Sequence, residues 1–209
     1  KQQFMNANIV NLNFSGELPN TPLHWIISDS ESSVTVEATE HGLAVYDNDV
    51  GVLTNSPDFS MQQFNLNNYM GLSKNSPENT FSENLGLNAY SRGMGAMGLP
   101  GDLSSMSRFV RAVFTKMNIT HHSDEMKSVS QFFHILSSVN QQQGCVITDD
   151  GKAEYTVYSS CYNTDSCVCY YKTYYDLQVK SVELNRENLK TDKLISYKMK
   201  RDRTVRRIN

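Results

Sequence analysis

A chain of 209 residues, 39% hydrophobic and 20% charged, has the make-up of a globular protein rather than a disordered one. Its net charge of -3 and pI near 6.0 argue against a general nucleic-acid binder. No run reaches the roughly 18 apolar residues of a membrane helix, and no targeting segment follows Lys1, so the expected location is the cytoplasm.

The first half reads as short strands over 23–28, 33–38 and 42–46, separated by turns at Asp29-Ser30-Glu31 and Glu40-His41. Val34 and Val36 alternate with Thr35 and Glu37, the period of a half-buried strand, and the short connections predict an antiparallel meander. A further short strand is expected at Gly51-Val52-Leu53-Thr54, and then a helix from Asp58 to Met70 with Met61, Phe64 and Asn68 on one face. The passage from Gly71 to Asp102 is rich in glycine, serine and asparagine and is too long for an ordinary connection.

Two amphipathic helices follow. The first is capped at Ser104 or Ser105 and carries a stripe of Met106, Phe109, Val110, Val113, Phe114 and Met117. The second is capped at Ser123, with Met126, Val129, Phe133 and Leu136 on its inner face. Strands return over 154–161, 168–174 and 178–184, rich in Tyr, Val and Thr. The order of strands, helices and strands predicts an α+β fold, sheet packed on helix, in one domain over 1–209.

Asn55, at the end of a short apolar segment, presents an amide able to donate into a cleft, although local capping is the plainer reading. Arg108 lies beside Phe109 at the edge of a buried stripe and needs acceptors there; Arg92 is a second arginine suited to organising the long passage. For both, a structural ion pair competes with catalysis. The histidines and the cysteines Cys145, Cys161, Cys167 and Cys169 occupy no recognisable triad positions, and C-x5-C-x-C is no zinc-ribbon spacing. Neither a cofactor nor a metal is expected.

The stretches Pro22-Leu23-His24-Trp25, Gly51-Val52-Leu53-Thr54-Asn55-Ser56-Pro57, Asn88-Ala89-Tyr90-Ser91-Arg92-Gly93-Met94-Gly95 and Gly98 to Arg111 together resemble the choloylglycine hydrolase family of bile salt hydrolases and penicillin V acylases. Gln131 to Leu136 and Tyr155 to Cys161 extend the likeness over nearly the whole chain, and the glycine-containing motif favours the bile salt hydrolases.

The resemblance implies the four-layer αββα sandwich of the N-terminal nucleophile hydrolases, incomplete here. In that family the thiol of an N-terminal cysteine attacks an amide, and its own amine moves the proton. A thioester forms, glycine or taurine leaves a conjugated bile acid, and water completes the reaction. The likeness gives Asn55 the oxyanion-region position and Arg108 that of the arginine beside the nucleophilic sulfur. It also sets Leu12, Phe14 and Leu18 in the loop bordering the bile-acid site. The four cysteines do not match the nucleophile, which belongs to a segment expected ahead of Lys1, either as a separate chain or missing through truncation or degeneration. On this reading the 209 residues alone are inactive, and the assembled enzyme is a homo-oligomer taking conjugated bile acids.

Overall fold

The computed structural model describes residues 12–13, 23–199 and 207–208. It resolves into two compact units that divide between Asn118 and Ile119.

In the first unit, β1 (His24–Ser28), β2 (Ser33–Thr39) and β3 (Gly42–Asp47) form an antiparallel sheet in chain order, the predicted meander. Asp29 closes its first turn, its Oδ1 accepting the backbone N–H of Glu31 at 2.9 Å and of Ser32 at 2.8 Å. The alternation expected in β2 is overturned, because Thr35, Val36 and Glu37 are all buried. Thr35 is occupied by the Asn48 amide, 2.9 Å from its hydroxyl, and the Glu37 carboxylate accepts the Phe59 N–H at 2.9 Å. Both polar groups enter the interior because each has a partner.

The Glu37 contact fastens α1 (Phe59–Asn65), whose N-cap residue Asp58 makes no side-chain cap of its own. The expected helix ends sooner than Met70 and continues as a 3-10 turn over Leu66–Tyr69. Its inner face is also corrected. Met61 and Phe64 are 58% and 75% exposed, whereas Phe59 and Gln62 are wholly buried. Gly51 to Thr54 pairs in no strand among the described residues; Val52 and Leu53 instead pack on a core of Phe59, Phe109 and Val113.

Between Gly71 and Asp102 the only helical piece is a 3-10 turn over Met94–Ala96 among these described residues. Gly95 lets two stretches of backbone meet: the Ser73 N–H reaches its carbonyl at 2.8 Å, and a Cβ there would lie 1.9 Å from the Asn75 carbonyl oxygen. Helix α2 (Ser105–Asn118) buries Phe109, Val110 and Val113 as expected, together with Ser107 and Ala112, while Met117 is exposed.

In the second unit, α3 (Glu125–Ser137) is capped by Asp124 rather than Ser123, its side chain accepting the Lys127 N–H at 2.8 Å. Val129 and Phe133 form its core with Val168 and Tyr170, while Met126 stays exposed. The expected strand from 154 to 161 is split. β4 (Val146–Ile147) pairs with β5 (Ala153–Glu154), and β6 (Tyr158–Asn163), β7 (Val168–Thr173) and β8 (Lys180–Glu183) make a second antiparallel sheet.

Candidate active site

The two residues singled out for chemistry, fifty-three positions apart, meet in the first unit. The Arg108 guanidinium donates from one terminal nitrogen to Asn55 Oδ1 at 2.6 Å, and from Nε to the Leu103 carbonyl at 3.2 Å. An arginine can only donate, so this contact fixes the Asn55 amide: Oδ1 faces the guanidinium and Nδ2 points away as a donor. Asn55 is exposed and Arg108 half-buried, so the pair lies at the surface of its unit, where a ligand can reach it.

Local structure explains why these side chains meet. Arg108 lies on the first turn of α2, a terminus that Ser104 and Asp102 hold together. Arg108 N–H donates to the Ser104 carbonyl at 2.9 Å, and Asp102 accepts the Ser104 N–H at 2.9 Å and the Ser107 hydroxyl at 2.5 Å. Those bonds, led by those from Ser104 and Ser107, hold the Asp102 carboxyl well below the usual carboxylate range. One turn further on, Arg111 donates to the carbonyls of Pro100 at 2.7 Å and Asp102 at 2.6 Å, closing the approach to the helix. A guanidinium at a helix N-terminus favours an anion nearby, whether a thiolate or a developing alkoxide.

Asn55 is held from its other side by Gln62, a residue that the sequence patterns passed over. Gln62, buried on α1, donates from Nε2 to the Asn55 and Pro57 carbonyls, the latter at 2.7 Å. Its Oε1 takes the Thr54 hydroxyl at 2.6 Å, and Thr54 in turn accepts from Ser105 at 3.0 Å. The signal available in the sequence was the spacing of Phe59, Gln62 and Leu66, three and then four apart, a helical face interrupted by an amide.

The other candidates stand apart. Arg92 is exposed, and among the described residues its guanidinium has no partner; only its carbonyl is engaged, by the Ser91 hydroxyl at 3.4 Å. Leu12 is 69% exposed; Phe14 and Leu18 lie outside the described residues. His24 Nδ1 faces Glu37 Oε1 at 3.9 Å. All four cysteines are free, and burial pushes the Cys161 thiol upward, away from reactivity. No group of three metal-ligating side chains occurs among the described residues.

The family described as linear amide C–N hydrolases, choloylglycine hydrolase family, matches residues 1–197, and the chain belongs to it. It is 54% identical over all 209 residues to a bile salt hydrolase/transferase of Lactiplantibacillus plantarum, covering 64% of that protein. It is 38% identical over 203 residues to a conjugated bile acid hydrolase of Lactobacillus acidophilus, covering 94% of this chain and 63% of the relative. The crystal structure of a mutant conjugated bile acid hydrolase from Clostridium perfringens superposes with a TM-score of 0.88 at 37% identity, over 100% of this chain and 64% of that one. The mixed α and β fold is thus the one that family uses. The chain spans less than two thirds of the length of these relatives.

Proposed function

We propose that the protein bearing this chain is an amide hydrolase that releases glycine or taurine from conjugated bile acids through a cysteine thioester. The observation that carries this reading is the Asn55–Arg108 contact at 2.6 Å, which aims an amide donor outward beside a fixed positive charge. The thiolate of an N-terminal cysteine, in a segment ahead of Lys1, attacks the amide carbonyl. Asn55 Nδ2 donates to the oxygen as it becomes anionic. Arg108 holds that amide in place and lowers the cost of the thiolate. The cysteine's own terminal amine, having taken the thiol proton, passes it to the leaving nitrogen as the carbon–nitrogen bond breaks, and water then cleaves the thioester to free the bile acid. None of the four cysteines here takes the nucleophile's part, so the 209 residues alone are inactive on this reading.

Leu12, Phe14 and Leu18 border the steroid in this proposal, and the exposure of Leu12 supports that role. Exposed Met61, Phe64, Met70 and Phe81 support burial of the first unit's surface against the preceding segment or a second copy. The two units then form parts of one domain, a four-layer αββα sandwich in a homo-oligomer. No helix among the described residues is long and apolar enough to cross a membrane. The four free thiols support a reducing compartment such as the cytoplasm.

The test joins this chain to a preceding family segment that begins with the nucleophilic cysteine, and compares kcat/KM for glycocholate, taurocholate and penicillin V. Preference for the bile-salt conjugates is expected; preference for penicillin V would sink the reading. In that enzyme Arg108→Ala loses more activity than Arg108→Lys, which keeps the charge without the planar fork.

A further inference from the structure

We propose that Gln62 is a positioning residue for the amide chemistry at Asn55, acting through the backbone of the segment Thr54–Pro57. The inference rests on the functional reading above and adds a residue to it. Gln62 is wholly buried and fully engaged: both amide hydrogens go to carbonyls of this one segment, those of Asn55 and Pro57, and its oxygen takes the Thr54 hydroxyl. Its orientation is fixed by chemistry, since two carbonyl oxygens demand the NH2 end.

Nothing about α1 as a helix requires an amide at this position. Phe59 and Leu66 on the same face supply its apolar contact, and a buried amide is tolerated only where all its bonds are made. The segment it grips is the one that presents Asn55. That segment pairs in no strand among the described residues, so no ladder fixes its carbonyls; the Gln62 side chain does so instead. Asn55 is consequently held at two points, its side chain by Arg108 from α2 and its main chain by Gln62 from α1. The Ser105–Thr54–Gln62 chain of hydroxyls and amide ties the two helices together. An oxyanion donor serves only when its nitrogen lies where the charge develops, so loosening one hold misplaces it.

Gln62→Met keeps the volume and removes both donors. In the enzyme assembled with its preceding segment, kcat is expected to fall by about 10- to 100-fold, the scale of a small misplacement, with KM within about threefold. The deciding measurement is the double-mutant cycle with Asn55→Ala. In the Asn55→Ala background Gln62→Met should cost less than about threefold, because the group through which it acts is gone. The same factor in both backgrounds, or an unchanged kcat, overturns the proposal. Should Gln62→Met fail to fold, Thr54→Val removes the hydroxyl that Gln62 Oε1 accepts, and its contacts to Ser105 with it, and the same pattern is expected at smaller size; additivity there overturns it equally. If the parent enzyme cleaves no bile-salt conjugate, the functional reading falls, and Gln62 is judged on the 209-residue chain itself. There Gln62→Met should move the Asn55 side-chain NH2 resonance. Unmoved resonances would remove Gln62 from the site.

Discussion

Each unit contains a polar hub, and the two are built from opposite chemistry. In the first, Gln62 is wholly buried and its partners are mainly carbonyls, so the hub has to donate, and a cation there would bear a heavy desolvation cost. In the second, Glu125 at the start of α3 is exposed and gathers three donors on one oxygen: Asn163 Nδ2 at 2.7 Å, the Ser166 hydroxyl at 3.0 Å and the Tyr170 hydroxyl at 2.9 Å. A solvated carboxylate suffices there, and it also favours the helix N-terminus on which it sits. Of these two hubs, the buried one is a neutral amide and the exposed one carries the charge. The first hub is therefore indifferent to acid, and the second is not.

The cores beneath the hubs differ in the same direction. Phe59 and Phe109 are wholly buried and meet edge to face, with ring centroids 6.0 Å apart. Phe133 is 5% exposed, and Lys172 Nζ stands 5.3 Å from its ring centroid. The largest expected effect is accordingly that of Phe109→Ala, about 3–5 kcal/mol, read by urea unfolding and by faster amide exchange in α1 and α2. Phe133→Ala should cost less. An equal or greater loss at Phe133 would break the comparison.

Gly95→Ala comes next and asks whether the long passage belongs with the tighter region. The added Cβ would stand 1.9 Å from one backbone oxygen and 2.4 Å from another, neither the end of a flexible side chain. A cost of about 1–3 kcal/mol, as for overpacking, is expected. Gly86→Ala, where a Cβ meets open space, should stay within about 0.5 kcal/mol. Equal effects from the two substitutions would show the passage to be loosely attached.

Much of this was legible in the sequence. Short turns announced β1, β2 and β3, because local geometry leaves an antiparallel meander few alternatives, while the alternation read at Val34 and Val36 did not foretell which β2 side chains are buried. The stripe of α2 was legible because Phe109, Val110 and Val113 are apolar and periodic. Asn55 and Arg108 were found through the family motif, but that they touch is a tertiary fact no spacing discloses. Gln62 escaped because the face was anchored on the apolar Met61 and Phe64 and continued to Asn68 at helical spacing, whereas the buried face runs through Phe59 and Gln62. The burial of Glu37 escaped for the same reason: its partner is a backbone N–H twenty-two residues away, which carries no side-chain signature. The strand expected at Gly51–Thr54 was inferred from composition, and a ladder needs a neighbour that composition does not provide.

The smallest effect is the pH dependence of the Glu125 hub. Bonds from Asn163, Tyr170 and Ser166, the first the strongest, hold its carboxyl below the ordinary value of 4.5. Because the folded value is depressed, the stability it contributes is fully present above about pH 4.5 and is lost as the pH falls through the folded value. Asp29, Asp102 and Asp150 are depressed as well, so the whole protein weakens in acid, and only a difference between variants isolates Glu125. Glu125→Gln keeps an acceptor of the same shape without a titratable group. The melting temperatures of the two proteins should differ by a constant amount between pH 5 and pH 7 and converge below about pH 4.5, as the parent loses what the variant never had. Tyr170→Phe, which removes one of the three donors, should shrink that convergence without abolishing it. If the two melting curves stayed parallel down to pH 3, the carboxylate would have no preferential hold in the folded state, and the contrast between the buried amide and the exposed charge would lose its second half.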